Sequence, residues 1–138
     1  MGAEQSSLQS WLSKTLAAVN AVAGTVHVRQ GDLLRLRASV NIPEPVIRVT
    51  TEIPTGKGMA GLALLREQPV QTCNLKTDDS GDVRPGARAV SAQAAVAIPV
   101  RDDDGTIWAV VGFAFADERE LTDEEIARYV SAAEDAPR

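Results

Sequence analysis

The feature that most constrains the fold is a pair of apolar segments in the C-terminal half of the chain, at residues 92–101 and 106–116. They are joined by Asp102-Asp103-Asp104-Gly105, and Asp-Gly is a residue pair that tight hairpin turns prefer. The second segment is apolar on both faces. Ile107, Ala109, Val111, Phe113 and Phe115 alternate there with Trp108, Val110 and Ala114. This pattern predicts a central strand covered on both faces, in a sheet with a further layer on each side.

Helical patterns stand at both ends of the chain. From Leu8 to Ala23 apolar side chains recur at helical spacing, and Gly24 is predicted to close this helix. Near the other end, Thr122 and Glu125 have the spacing of a capping box ahead of an apolar stripe. The sequence therefore predicts one N-terminal and one C-terminal helix.

The middle of the chain predicts shorter elements. Residues 25–29 and 33–40 alternate apolar and polar side chains, which predicts a hairpin with one apolar face. Residues 46–53 predict an edge strand at most, because the flanking prolines cannot donate hydrogen bonds to a neighbouring strand. Residues 59–67 have the composition of a short helix, and residues 70–75 that of a short strand.

Composition restricts the class of protein. The chain has 138 residues and a formal net charge of -5. This length fits a single domain, in which we expect an N-terminal helix at 1–23, sheet and pocket loops at 24–116, and a C-terminal helix at 121–135. The acidic balance, without a basic run, opposes binding to nucleic acid or to an anionic membrane.

We expect the protein to be cytoplasmic. Its lone cysteine, Cys73, excludes an internal disulfide and fits a reducing compartment. The longest apolar runs reach about half of the roughly 20 residues that cross a bilayer, and no basic signal region begins the sequence. We therefore expect neither a membrane anchor nor a secretion signal.

The segment Gly56-Lys57-Gly58-Met59-Ala60-Gly61 matches the dinucleotide fingerprint G-x-G-x-x-G. That fingerprint works at a tight turn between a buried parallel strand and a helix, within a βαβ unit. Here the preceding segment mixes charged and β-branched residues and ends in a proline, and no second βαβ unit follows. We interpret these glycines as backbone hinges rather than as a phosphate-binding loop.

The order of predicted elements and four phrases of sequence resemble a GAF domain. The phrases are Leu36-Arg-Ala-Ser-Val40, residues 53–70 around the glycines, Ser91 leading into Val96-Ala-Ile-Pro-Val100, and Leu121-Thr-Asp-Glu-Glu-Ile126. The resemblance implies an α+β fold with a central antiparallel sheet of five to six strands. It also implies that the N- and C-terminal helices pack on one face of the sheet, with a small-molecule pocket on the other.

The resemblance further implies that the long loop at residues 76–90 lies over the pocket. Arg84 and Arg88 in this loop suit a carboxylate or phosphate, which arginine binds through two parallel hydrogen bonds. The alternative is a pair of solvated arginines neutralised by nearby aspartates. Four more residues complete the candidate site. Ser91 and Gln93 offer polar contacts, whereas Met59 and Trp108 offer an apolar wall or are ordinary core residues.

Other chemistries of the fold find less support. The Asn-Lys-Phe-Asp-Glu signature shared by cyclic-nucleotide-binding members is absent, and Cys73 is followed by Asn74 rather than by the histidine usual at bilin sites. His27 suits a haem axial role or, more simply, a solvated or pocket-rim position. Asp102-Asp103-Asp104 reads as a solvated turn. We expect no metal, no cofactor and no catalytic residue.

Our first hypothesis is a sensory or regulatory domain that binds a small organic ligand and signals through its terminal helices. We expect a homodimer and an output domain, fused or separate. The dimer would form through two apolar stripes, Leu8, Leu12, Leu16 and Val19 in the first helix and Ile126, Val130 and Ala133 in the last. The alternatives are a structural interaction module with a filled pocket, and a thiol redox enzyme like the free methionine sulfoxide reductases. That enzyme needs a resolving thiol after the attacking one, and a buried strand cysteine such as the one expected here is typical of core.

Overall fold

The structure is a computed structural model that describes residues 2–74 and 92–138, with side chains described from Ser7 onward. Its described part contains four helices: α1 (Gly2–Val19), α2 (Glu44–Thr50), α3 (Gly58–Arg66) and α4 (Asp123–Glu134). The strands are β1 (Ala23–Gln30), β2 (Leu33–Val40), β3 (Glu52–Pro54), β4 (Val70–Thr72), β5 (Ala95–Arg101) and β6 (Ile107–Ala114). They form one antiparallel sheet in the order β3-β2-β1-β6-β5-β4, which confirms the predicted α+β class.

Strand β6 is central, as its two apolar faces predict. It pairs with β1 on one side and β5 on the other. One face joins the helix-side cluster, in which α1 and α4 cover the sheet. The main members of this cluster are Leu8, Leu12, Leu16, Val26, Val96, Ile98, Val111, Phe113, Phe115 and Tyr129. On the opposite face, α2 and α3 cover Val110 and Ala114.

Two irregularities in strand pairing move side chains from one face to the other. Val26 pairs with Ala38 but His27 pairs with Leu36, so Arg37 is an extra residue. In the other bulge Val100 pairs with Ala109 and Arg101 with Ile107, which makes Trp108 the extra residue. A bulge breaks the simple alternation of side chains. The predictions of one apolar face on the first hairpin, and of Trp108 beside Val110, are therefore wrong.

Helix α1 ends earlier than predicted. It stops at Val19, and Asn20 follows with a φ of 61°, so Asn20 rather than Gly24 takes the left-handed conformation that ends many helices. Gly24 lies inside β1. A Cβ at Gly24 would stand 2.8 Å from Cδ2 of Leu16, so this glycine lets α1 approach the sheet closely.

The segment predicted as an edge strand is mostly a helix. Pro43 precedes the first residue of α2 and Pro45 lies in its first turn, where a missing N–H removes no helical hydrogen bond. Only the three residues of β3 pair with β2, at the edge of the sheet. The prolines that exclude a strand thus favour the start of a helix, which the prediction missed.

The glycine segment forms a turn into α3. Gly56 and Gly58 have φ values of 87° and 65°, which favour glycine. A Cβ on Gly61 would come within 2.5 Å of the Pro54 carbonyl oxygen, so the turn folds tightly back on β3. The amide of Gly56 donates to the carbonyl of Gly61 at 2.8 Å. These glycines are hinges, as predicted.

The start of α4 agrees with its predicted capping box. The Thr122 hydroxyl accepts from the Glu125 amide at 3.1 Å, and the Glu125 carboxylate accepts from the Thr122 amide at 3.1 Å. The Thr122 amide and then the Arg119 guanidinium lower the pKa of Glu125 to about 2. No helix in the described part of the chain is long and apolar enough to span a membrane.

The stripe expected to join two protomers is buried within one chain. Leu8 and Leu12 are fully buried and Leu16 is nearly so, all within the helix-side cluster. Ile126 and Val130 pack against the same cluster. These leucines are thus not available as a dimer surface in this fold, and a homodimer stays a prediction.

Candidate functional site

Small side chains line the sheet on the face opposite the terminal helices. Ala23, Ala114 and Ala95 lie side by side on three neighbouring strands. The next row along the strands is Thr25, Gly112 and Ala97. We call these six residues the alanine floor. The methyl groups and hydrogens of this area project little from the sheet, and Oγ1 of Thr25 lies over Gly112, 2.8 Å from where a Cβ would stand.

Elements of the same face border the alanine floor. Val46 of α2 packs against its alanines, together with Ile42, Met59 and Ala92. Further along the strands, larger side chains fill the space under α3. They are Leu34, Ile53, Leu64, Val70, Ile107 and Val110. The face is therefore closed by core packing at the α3 end and lined by small residues at the other.

His27 lies on this face, one row beyond Thr25, and is only 2% exposed. Its Nε2 is 2.9 Å from the carbonyl oxygen of Thr50, the last residue of α2. Burial lowers the pKa of His27 from 6.5, although the bond to Thr50 opposes this, so the ring is neutral at pH 7. The solvated position expected for His27 is wrong, because α2 covers the ring. The pocket-rim position stays a prediction.

The bond to Thr50 fixes the tautomer of His27. A carbonyl oxygen only accepts hydrogen bonds, so Nε2 must carry the hydrogen of the neutral ring. Nδ1 is then a bare acceptor. It is buried and has no hydrogen-bond partner within the described residues. Buried polar atoms normally have partners, so an orphaned acceptor on a candidate binding face needs an explanation.

A polar cluster joins Asn74 and Gln93, which flank residues 75–91 in the sequence. The side-chain amide of Asn74 donates to Oε1 of Gln93 at 3.4 Å and to the Glu118 carboxylate. Gln93 in turn donates to the Ala116 carbonyl at 3.3 Å. Asn74 is 7% exposed. The cluster holds the two ends of the intervening segment together beside the Ala95 end of the floor.

The structure brings together only some of the predicted site residues. Met59 packs against the alanine floor, and Gln93 lies in the polar cluster near its end. Trp108 is on the other face, in the helix-side cluster, with the Arg138 guanidinium 5.4 Å from its ring centroid. Trp108 and Met59 therefore lie on opposite faces of the sheet and do not line the same site. Arg84, Arg88 and Ser91 lie outside the described residues.

The structure also corrects the reading of Cys73. Strand β4 ends at Thr72, and Cys73 is exposed rather than part of the core. Across residues 2–74 and 92–138, no group of histidine, cysteine, aspartate and glutamate side chains could hold a metal ion.

A concavity of about 430 Å³ lies at the opposite end of the sheet, beside the tips of both hairpins. Arg29, Asp32 and Glu67 contribute its charges. Arg29 already donates to the carbonyls of Gly31 and Ile107, and Glu67 pairs with Arg101. Arg29 and Glu67 are thus bound within the protein itself, which makes the alanine floor the better candidate.

A model of the GAF domain family matches residues 5–136, nearly the whole chain. The chain belongs to the GAF domain family. This agrees with the sheet order, the terminal helices on one face and the lined space on the other. Family membership does not by itself give a ligand, since one fold hosts many functions.

Solved structures similar to this GAF domain come from both regulatory proteins and enzymes. The GAF domain of a phosphoenolpyruvate-protein phosphotransferase (ptsP) from Coxiella burnetii is 18% identical, with a TM-score of 0.75, covering 95% of this chain and 81% of that one. A type II free methionine-R-sulfoxide reductase from Thermoplasma acidophilum is 18% identical, with a TM-score of 0.72 and coverages of 94% and 89%.

A third similar structure is a domain of a two-component sensor histidine kinase protein from Sinorhizobium meliloti 1021. It is 13% identical, with a TM-score of 0.68, and the match covers 90% of this chain and 81% of that one. At such identities the likeness shows the fold alone. No curated protein matches this sequence.

Proposed function

We propose that this GAF domain is a non-catalytic regulatory domain that binds a small organic ligand on the alanine floor. The observation that carries the proposal is the contrast between the low, apolar floor and the orphaned Nδ1 of His27 beside it. A largely apolar site with a few placed polar groups is typical of small-molecule binding. The large side chains elsewhere on this face show that the fold can fill the space where the sequence supplies them.

Strand β6 supports a route from the floor to the terminal helices. Gly112 and Ala114 of this strand are part of the floor. Val111 and Phe113 alternate with them and belong to the helix-side cluster with α1 and α4. The rings of Phe113 and Phe115 lie 6.2 Å and 5.0 Å from the ring of Tyr129 in α4. We infer that a ligand on the floor would change the packing of α4 through this strand.

In this proposal the positive charges of Arg84 and Arg88 select ligands that carry a negatively charged group. Both belong to the segment whose ends meet at Asn74 and Gln93, beside the floor. The proposal assigns them to a carboxylate or phosphate group of the ligand. This part rests on residue type and chain position.

A thermal-shift screen with a metabolite panel tests the proposal. A ligand that binds only the folded state raises Tm, by an amount set by its concentration relative to Kd. We expect at least one metabolite to stabilise the wild type, and Ala95→Leu, Arg84→Ala or Arg88→Ala to reduce that shift. Ala18→Leu, on the exposed side of α1, is the matched control. The proposal fails if no metabolite raises Tm, or if the shift survives all three site variants.

A second function, thiol-dependent reduction of methionine sulfoxide, is favoured by the exposure of Cys73 and the fold shared with a reductase. The Cys73 thiolate would attack the sulfoxide and become a sulfenic acid, releasing methionine. An added dithiol would then restore the thiol, forming its own disulfide and water. Turnover that Cys73→Ser abolishes would establish this function, and unchanged sulfoxide would exclude it.

A further inference from the structure

His27 gives the site a chemical preference that neither the family nor the floor supplies. Its ring is held from one side only, by the bond from Nε2 to Thr50 at the end of α2. That bond leaves Nδ1 unprotonated, and no donor among the described residues approaches it. Nδ1 is therefore a fixed, buried acceptor.

The position of His27 places this acceptor within reach of the floor. His27 pairs with Val110, and the neighbouring pair along the same two strands and face is Thr25 with Gly112. Residues two apart on a strand are about 7 Å apart. The imidazole therefore lies one row from the floor, next to Thr25, whose Oγ1 lies over Gly112.

We propose that Nδ1 of His27 accepts a hydrogen bond from the ligand, and that the site selects molecules carrying an N–H or O–H donor at the edge of an apolar body. This inference rests on the proposed function, because it places the ligand on the alanine floor. A ligand that has only acceptors at that edge leaves Nδ1 buried without a donor and binds more weakly.

The burial of His27 favours this role. The lowered pKa keeps the ring neutral at pH 7, so Nδ1 remains an acceptor rather than becoming a second donor. The same ring carries a bond to α2 through Nε2. The ligand donor and Thr50 would therefore be linked through one imidazole, with α2 as the cover of the site.

His27 is the single histidine of the chain, so its ring nitrogens can be followed by ¹⁵N NMR without ambiguity. Two matched pairs of fragments serve as probes, indole with 1-methylindole and phenol with anisole. Within each pair only the first member has a donor. We expect indole and phenol to shift the Nδ1 resonance and to bind about three- to tenfold more tightly than their methylated partners.

His27→Leu is the matched variant, because its apolar side chain offers no acceptor at the Nδ1 position. In this variant we expect both members of each pair to bind with equal affinity. The resonance measurement uses the wild type, so it stands even where the variant folds poorly.

The outcomes separate this inference from the proposed function. Binding of both members of a pair with an unmoved Nδ1 resonance, as a buried water on Nδ1 would give, overturns the role of His27 alone. An Nδ1-protonated tautomer in the unbound protein overturns it as well. Failure of every fragment and every panel metabolite to bind contradicts the proposed function together with this inference.

Discussion

The two faces of the sheet differ in what fills them. The helix-side face buries large side chains, with Leu12, Val111, Phe113 and Phe115 almost fully enclosed. The opposite face has the alanine floor and one orphaned imidazole nitrogen in the same strands. Since both faces belong to one layer, the difference lies in side-chain choice and not in backbone. The helix-side face holds the larger core cluster, and the proposed function assigns the floor of the other face to ligand binding.

The largest expected effect comes from the helix-side face. Phe113→Ala removes a fully buried ring that contacts Tyr129, so the free energy of unfolding should fall by about 3–5 kcal/mol. Urea denaturation measures this loss. A loss under about 1 kcal/mol would contradict the assignment of this face as the main core.

A pair of leucine substitutions compares the faces directly. Ala109→Leu, in the helix-side cluster, should cost about 1–3 kcal/mol because that space is already packed. The proposed function requires a binding space above the floor, so Ala95→Leu should change stability by less than about 0.5 kcal/mol.

Urea denaturation measures the free energy of unfolding of both variants. Equal destabilisation by the two leucines would mean that the floor is filled by the protein's own side chains. That result would favour the structural interaction module over ligand binding.

The titration of His27 provides a pH test. Its pKa is lowered by burial below the ordinary 6.5, so the unfolded chain binds the proton more tightly than the folded one. The stabilising contribution of the neutral ring is therefore complete above pH 6.5 and decreases as pH falls through 6.5. The slope reaches at most about 1.4 kcal/mol per pH unit.

Stability measured between pH 7.5 and 5.5 should show this slope in the wild type, and His27→Gln should lack it. A wild type with no pH dependence over that range would contradict the burial of a neutral imidazole beneath α2.

The smallest expected effect is at the α4 cap. Thr122→Ala removes the side chain that accepts from the Glu125 amide, which should cost about 1 kcal/mol. Ser131→Ala, at an exposed position of the same helix, should have almost no effect. Thermal unfolding of both variants checks the difference, and equal midpoints would contradict the contribution of the capping box.

Most elements were predictable because they leave a local signal, whereas α2 was predicted as an edge strand. The two-faced pattern of residues 107–115 predicted the central strand, and the spacing of Thr122 and Glu125 predicted the start of α4. The family resemblance added which face the terminal helices cover. Local spacing failed where tertiary packing decides, as at Gly24, whose function is to let α1 approach β1.

The candidate site was less predictable, because it depends on cross-strand register. Ala23, Ala95 and Ala114 are far apart in the sequence, and only pairing with β6 aligns them. The bulge at Trp108 has no local signal, so alternation placed this residue on the wrong face. A visible clue was the polar alternation of Thr25 and His27, although the sequence did not show that α2 would bury the imidazole.

Methyl NMR of alanine-labelled protein tests the central claim most directly, with the metabolite panel as the source of ligands. Our account predicts that a binding metabolite shifts the methyl signals of Ala23, Ala95, Ala97 and Ala114 most, with a smaller change at Ala109 on the other face. Larger shifts at Ala109 than at the floor alanines, or no shift with any metabolite, would contradict a binding site on the alanine floor.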